Sequence, residues 1–297
     1  MLYNNLSEYF RKKYGQRIKK ICVDGGFSCP NRDGKVGTGG CIYCGERGAG
    51  EHIRKCESIK NQVENALAAA SEKDKFLVYF QNFSNTYADI ETLRLRYDEA
   101  LFDKRTVALS IATRPDCINE ETASLISEYS KRLDVWVELG FQTANDKTAE
   151  IINRGYKTEV FDKAVKTLKK YNIPIVAHMI IGLPGETQED VIKTARYISS
   201  LGVFGIKIHS IYVMEGTRLA DMYREKRYTP PTLSVFAEAA ALCLGNISDK
   251  IIVHRLTGDC PRDMLVAPEW NRDKYKIIEE ITKKMTELNI RQGSLCE

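Results

Sequence analysis

Cys29-Pro30-Asn31-Arg32 through Cys41-Ile42-Tyr43-Cys44 is the stretch from which the rest of the chain is read. It holds three cysteines, the last two spaced C-x-x-C, with Gly34, Gly37, Gly39 and Gly40 in the interval. The apolar run Ile18 to Val23 leads into it and predicts a strand. A strand feeding a long loop that glycine makes permissive can fold three thiolates around one point. Three thiolates can hold an iron–sulfur cluster and leave one iron open. They can equally hold zinc with a fourth ligand supplied from elsewhere. On these residues alone both readings stand.

Outward from the loop, strand and helix patterns alternate. A helix is predicted at Ser58 to Ser71, a strand at Phe76 to Phe80, a helix at Asp89 to Phe102 and a strand at Thr106 to Ala112. Pro115 stops that strand, and Asp116 is a candidate cap for the next segment. Glu120 to Lys131 reads as a helix, Val135 to Phe141 as a strand, and Thr158 as the N-cap of a helix with Phe161, Val165 and Leu168 on one face. Ile173 to Ile181 is a strand stopped by Gly182-Leu183-Pro184-Gly185-Glu186. Thr187 with Asp190 resembles a capping box and opens a helix to Leu201. Phe204 to Tyr212 is the sixth strand. Six strand–helix units about thirty residues apart imply a parallel sheet with right-handed crossovers. A curled, partial (β/α) barrel suits this spacing, with a doubly wound open sheet as the competitor. Past Thr217 the pattern loosens: helices are expected at Pro231 to Leu244 and Asn271 to Leu288, with a strand at Ile251 to Leu256 between them. The division expected is a basic helix over 1–17, the barrel over 18–220 and an extension packed on it over 221–297.

In such barrels the active site lies at the C-terminal strand ends. There the chain places Gln81 and Asn82, then Thr113 and Arg114. Glu138, Gly140 and Gln142 share one parity on the fourth strand; His178 lies on the fifth, and Lys207 and His209 share one on the sixth. Polar groups on one face of three strands imply a wet lumen, because buried polar groups without partners are costly. The bland alternative makes Glu138 a core carboxylate paired with Lys207, and His178 a satisfied core histidine.

The bulk numbers exclude some classes. The chain has 297 residues and a net charge of +4, mildly basic. No run approaches a membrane span, and Met1 to Asn5 lacks the build of a signal peptide. The nine cysteines are then expected as reduced thiols in a cytoplasm. Arg11, Lys12, Lys13, Arg17, Lys19 and Lys20 interleave with Leu6, Tyr9, Phe10 and Tyr14, which reads as an amphipathic helix with a solvated basic face or as a phosphate-contacting patch.

From about Ile21 to Leu219 the chain resembles a radical S-adenosylmethionine enzyme. The C-x11-C-x2-C spacing, with Asp24-Gly25-Gly26-Phe27 before it, is similar to that of one bacterial subfamily. The wider neighbourhood resembles the radical domain of the Elongator catalytic subunit and oxygen-independent coproporphyrinogen oxidase. The resemblance implies a partial (β/α)6 radical-SAM barrel in the α/β class. It implies that Cys29, Cys41 and Cys44 ligate a [4Fe–4S] cluster whose fourth iron S-adenosylmethionine chelates. Tyr43 would pack near the adenine, Gln81 and Asn82 would meet the methionine amino group, and Gln142 the ribose. Arg154 would pair with the cofactor carboxylate, and Glu138 and His178 would stand at cofactor-contacting positions. The second strand lacks the Gly-Gly-Glu common in relatives, and Ala112 stands where relatives often carry a glutamate, so ribose binding would lean on Gln142.

The implied chemistry is reductive cleavage of S-adenosylmethionine to methionine and a 5′-deoxyadenosyl radical that abstracts hydrogen from a substrate. The electron would come from a donor such as flavodoxin or ferredoxin. Lys207 and His209 are the candidates for substrate contact or proton transfer; Cys260 is a candidate hydrogen donor with a buried inert thiol as its plainer reading. The subfamily resemblance suggests transfer RNA as substrate, at the aminomethyl side group of the wobble uridine, with Arg11 to Lys20, Arg255 and Arg262 on phosphates. A small anionic metabolite and a zinc-stabilised binding module are the alternatives.

Overall fold

The computed structural model describes residues 2–48, 50–51, 53 and 58–296. Cys56 lies outside them. The chain opens with α1 (Leu6–Tyr14), capped by Asn5 and ended by Gly15 at φ 71°. Strands and helices then alternate: β1 (Ile18–Val23), α2 (Ile59–Leu67), β2 (Lys75–Phe80), α3 (Ile90–Ala100), β3 (Thr106–Thr113), α4 (Glu120–Tyr129) and β4 (Asp134–Gln142). After α5 (Asp146–Ile151) and α6 (Thr158–Lys170) come β5 (Ile175–Ile181), α7 (Gln188–Ser200) and β6 (Gly205–Ser210). The last third carries β7 (Val213–Met214), α8 (Arg218–Arg224), α9 (Leu233–Gly245), β8 (Ile252–Arg255), β9 (Leu265–Ala267) and α10 (Lys274–Glu287).

One sheet runs β1-β2-β3-β4-β5-β6-β8 with every neighbouring pair parallel, and it curls into a half-barrel. The sheet therefore has seven strands rather than six. The segment read as a strand within the C-terminal extension is β8, hydrogen-bonded to β6 with Gly205 opposite Ile252. The sequence hid this continuation because β7, α8 and α9 interrupt the repeat before β8. Two local expectations also change. Asp116 pairs with Arg114 instead of capping, and Asn119 closes the capping box of α4 with Thr122. Thr158 is the first residue of α6, its hydroxyl bonded to Asp146 at 2.8 Å. The capping box of Thr187 and Asp190 forms as read.

Alternate residues of each strand face opposite ways. Outward residues such as Val78, Leu109, Val137 and Ala177 pack under the helices in the main core. Inward residues at the start of the strands, Ile18, Leu77, Ala108, Trp136 and Val176, form a second apolar cluster with Phe10 of α1. Tyr9 and Phe204 meet edge-on at 5.4 Å, and Phe10 and Trp136 sit 6.2 Å apart. Helix α1 packs against both β1 and β8 and plugs the base of the barrel. Its basic residues thus lie at the end opposite the cysteine loop. Lys13 pairs with Asp134 at the start of β4, and Lys19 with Asp74 just before β2.

Candidate active site

The C-terminal strand ends open into a cavity of about 210 Å³. Cys29, Cys41, Cys44 and Tyr43 line it from the loop; Gln81, Gln142, His178, Lys207 and His209 line it from the strands. The loop is held by its own polar residues. Arg32 donates to the carbonyls of Cys44 and Gly45 at 3.2 and 2.5 Å. The Asn31 side-chain amide donates to the Asn153 carbonyl at 2.7 Å and lies 3.9 Å from Cys41 Sγ. Asn153 returns a 2.7 Å bond to the Gly40 carbonyl, and Gly40 adopts φ 74°, which glycine tolerates without strain. The residues between the first two cysteines therefore clasp the turn after α5. The hydrogen bond from Cys44 brings the Cys41 thiol down to about 6 against the effect of burial, with the Arg114 charge helping. The same bond pushes Cys44 well above the usual thiol range. Cys41 is thus held as a thiolate, the form that ligates metal.

Below the loop, Glu138 is the hub of the lumen. Its Oε1 accepts from Ser110 at 2.6 Å and from the Trp136 indole at 3.2 Å. Its Oε2 accepts from His178 Nε2 at 2.7 Å and from the Lys207 ammonium. Burial raises the carboxyl, but Lys207 and His178 outweigh it and hold Glu138 well below its ordinary range. Burial, with Lys20 and Arg255 nearby, brings Lys207 down to about 8 despite Glu138. Burial and the Lys207 charge lower His178, and burial with neighbouring His178 and Arg255 lowers His209 far below its ordinary value, so both rings are neutral at pH 7. Bonded to an ionised carboxylate, His178 carries its proton on Nε2.

The expected contacts divide accordingly. Gln142 adopts φ 66° at the end of β4, lines the cavity, and leaves Oε1 buried with no partner. A Cβ at Gly140 would press on the Gln142 amide, so glycine there gives Gln142 its place. Gln81 also lines the cavity; Asn82 does not. Adjacent strand-end residues point opposite ways, and the Asn82 amide turns to Asp24 at 2.7 Å under the Gly50 backbone. Glu138 has no lone pair left for a cofactor, since four protein donors occupy its two oxygens. The Arg154 guanidinium is only 1% exposed and bonds the carbonyls of Phe141, Thr143 and Tyr156 and the Asp146 carboxylate. In this arrangement it builds the wall instead of offering a bidentate fork.

Sequence reading passed over Tyr79 and Tyr156. Tyr79 sits in an apolar run, but it shares parity with Gln81, and its hydroxyl receives a 3.3 Å bond from Lys207. The Tyr156 ring has Arg114 at 4.9 Å and Arg154 at 4.5 Å, and its hydroxyl donates to the Gly140 carbonyl. No local pattern signals that stack.

Residues 33–198 match the Radical SAM superfamily, and residues 203–287 match the Radical_SAM C-terminal domain. The chain belongs to the Radical SAM superfamily. It is 33% identical over 299 residues to the uncharacterized protein YtqA of Bacillus subtilis, covering 99% of this chain and 93% of YtqA. Over 130 residues, 42% of this chain and 28% of the relative, it is 33% identical to tRNA uridine(34) acetyltransferase of Dehalococcoides mccartyi. In fold it is similar to Elp3 of the archaeon Methanocaldococcus infernus, with a TM-score of 0.69 at 20% identity over 93% of this chain and 64% of that structure.

Radical SAM proteins use a [4Fe–4S] cluster and S-adenosylmethionine, which sets aside the zinc-module reading. The residues present fit both. Three cysteine thiols, one held as thiolate, line one cavity beside Gly40 and Gly48. The buried, unpartnered Gln142 Oε1 in the same cavity is an acceptor awaiting a donor such as a hydroxyl. Among the described residues no helix is long and apolar enough to cross a membrane.

Proposed function

We propose that this radical SAM enzyme modifies transfer RNA, remodelling the aminomethyl side group of a wobble uridine. The observation that carries the substrate is the 33% identity over 130 residues to a tRNA uridine(34) acetyltransferase, a relative that acts on that nucleotide. Cys29, Cys41 and Cys44 would hold the cluster, which with S-adenosylmethionine would supply a 5′-deoxyadenosyl radical for hydrogen abstraction. Gln142 Oε1 would accept from the cofactor ribose, Tyr43 would pack beside the adenine, and Gln81 would meet the methionine amino group. Glu138 orients His178 and Lys207, so that Lys207 presents one remaining N–H to the lumen and His178 presents an unprotonated Nδ1. His209, kept neutral by burial, lines the cavity as a hydrogen-bonding contact for the substrate. The sealed base keeps water out of the lower lumen. A flavodoxin or ferredoxin supplies the electron.

Because α1 and its basic face lie at the base, RNA phosphates approach from the rim beside the loop, near the exposed Arg262, and Arg11 to Lys19 take no part. Nucleoside mass spectrometry of digested transfer RNA, from cells with and without the gene, tests the reading. Loss of one modified uridine with build-up of its precursor is the expected result; unchanged nucleosides in an expressing strain sink it. A second reading, a small anionic metabolite, is favoured by the cations in the lumen.

A further inference from the structure

The strands that end the sheet, β1 and β8, carry cations the radical chemistry does not use. Lys20 of β1 lies 5.3 Å from the Tyr79 ring centre, and Lys207 lies 4.3 Å from the same ring. Arg255 of β8 pairs opposite Lys207 in the sheet register. All three are close enough to act on the thiol of Cys22. Arg255 spends one N–H on Asp259 at 2.9 Å, and Lys274 takes the other oxygen of that carboxylate at 2.7 Å. Lys20, Lys207, Arg255 and Lys274 thus bring four positive charges against the two carboxylates Glu138 and Asp259. Arg255 and Lys207 both line the cavity, and among the described residues no other bond ties the Arg255 fork.

Within the cavity Lys207 and Arg255 face Glu138 and Asp259, and Lys20, exposed on β1 beside Tyr79, adds a positive charge that favours an incoming anion. The Arg255 fork is shaped for a two-oxygen anion, and it lines the same cavity as Lys207. The geometry points to an anion subsite between Arg255, Lys20 and Lys207 that holds a carboxylate or phosphate of the substrate. Tyr79 stands one same-face step before Gln81 along β2, so the subsite lies one side-chain layer beneath the cofactor contacts. This deepens the function proposed above by naming the group the substrate must carry, and it rests on that reading.

Calorimetric titration of the cluster-loaded protein with S-adenosylmethionine, using inorganic phosphate, succinate and uridine 5′-monophosphate as probes, tests it. Binding of at least one probe is expected, weakened about tenfold by Arg255→Gln and severalfold by Lys20→Gln, as loss of a charge-assisted contact implies. Arg255→Lys, which keeps the charge and the packing stem, should retain most of the affinity, and Lys12→Gln on α1 should retain all of it. Tighter binding of succinate marks a carboxylate source; tighter binding of the nucleotide marks a phosphate. No binding of any probe, or equal affinity in wild type and both glutamine variants, overturns the subsite. Formation of 5′-deoxyadenosine by the wild type is measured separately, so a failed subsite is told apart from a failed radical enzyme.

Discussion

Along one face of β4, Trp136 closes the base of the barrel, Glu138 collects four donors in the middle, and Gly140 and Gln142 open onto the cavity. The base and the mouth are built on the same strands, in layers two residues apart, yet they are made of opposite materials. At the base, Phe10, Trp136 and Phe204 fill the space with aromatic rings. At the mouth, polar atoms such as Gln142 Oε1 remain unpartnered. Stability is concentrated where the rings are, and chemistry where partners are missing. The Glu138 network lies between them: it satisfies its own charges while aiming His178 and Lys207 upward.

Substitutions at the two ends should therefore separate stability from activity. The largest expected effect is at the mouth. Cys41→Ala should abolish both bound iron and 5′-deoxyadenosine formation while leaving the far-ultraviolet circular dichroism intact; iron analysis and chromatography read this. At the base, Trp136→Ala should cost about 4 kcal/mol in urea unfolding, as deletion of a fully packed aromatic does, with iron per folded chain unchanged. In the middle, Glu138→Gln should cost about 3 kcal/mol by leaving Lys207 buried without its counter-charge. The folded-state pKa of Glu138 is depressed, so its contribution is complete above the unfolded value of 4.5 and is lost as pH falls through the folded value. Wild type should therefore lose more stability than Glu138→Gln as the pH of urea unfolding is lowered from about 5. The smallest effect belongs to the half-exposed pair of Lys13 and Asp134. Lys13→Ala should change stability by about 0.5 kcal/mol or less and leave 5′-deoxyadenosine formation untouched.

The sequence disclosed whatever depends on spacing and parity. The C-x-x-C of Cys41 and Cys44, the shared face of Glu138, Gly140 and Gln142, and that of Lys207 and His209 all reappear around one cavity. Pairings across the fold were not legible. That Arg154 would be spent on carbonyls of its own turn depends on how Phe141, Thr143 and Tyr156 surround it. That Asn82 would turn away from Gln81 follows from strand geometry, but its partner Asp24 comes from another strand end. The position of β8 was obscured because the short strand β7 and two helices break the repeat. The basic stretch of α1 reads equally well as a nucleic-acid patch in sequence; its aromatic residues, sealing the base, place it away from the cavity.

Radical chemistry at the cysteine loop is tested most directly by one measurement: 5′-deoxyadenosine formed from S-adenosylmethionine by the anaerobically reconstituted, dithionite-reduced protein. Wild type should form 5′-deoxyadenosine and methionine in equal amounts, and Cys41→Ala should form neither. A fully iron-loaded wild type that binds S-adenosylmethionine and forms no 5′-deoxyadenosine would contradict it.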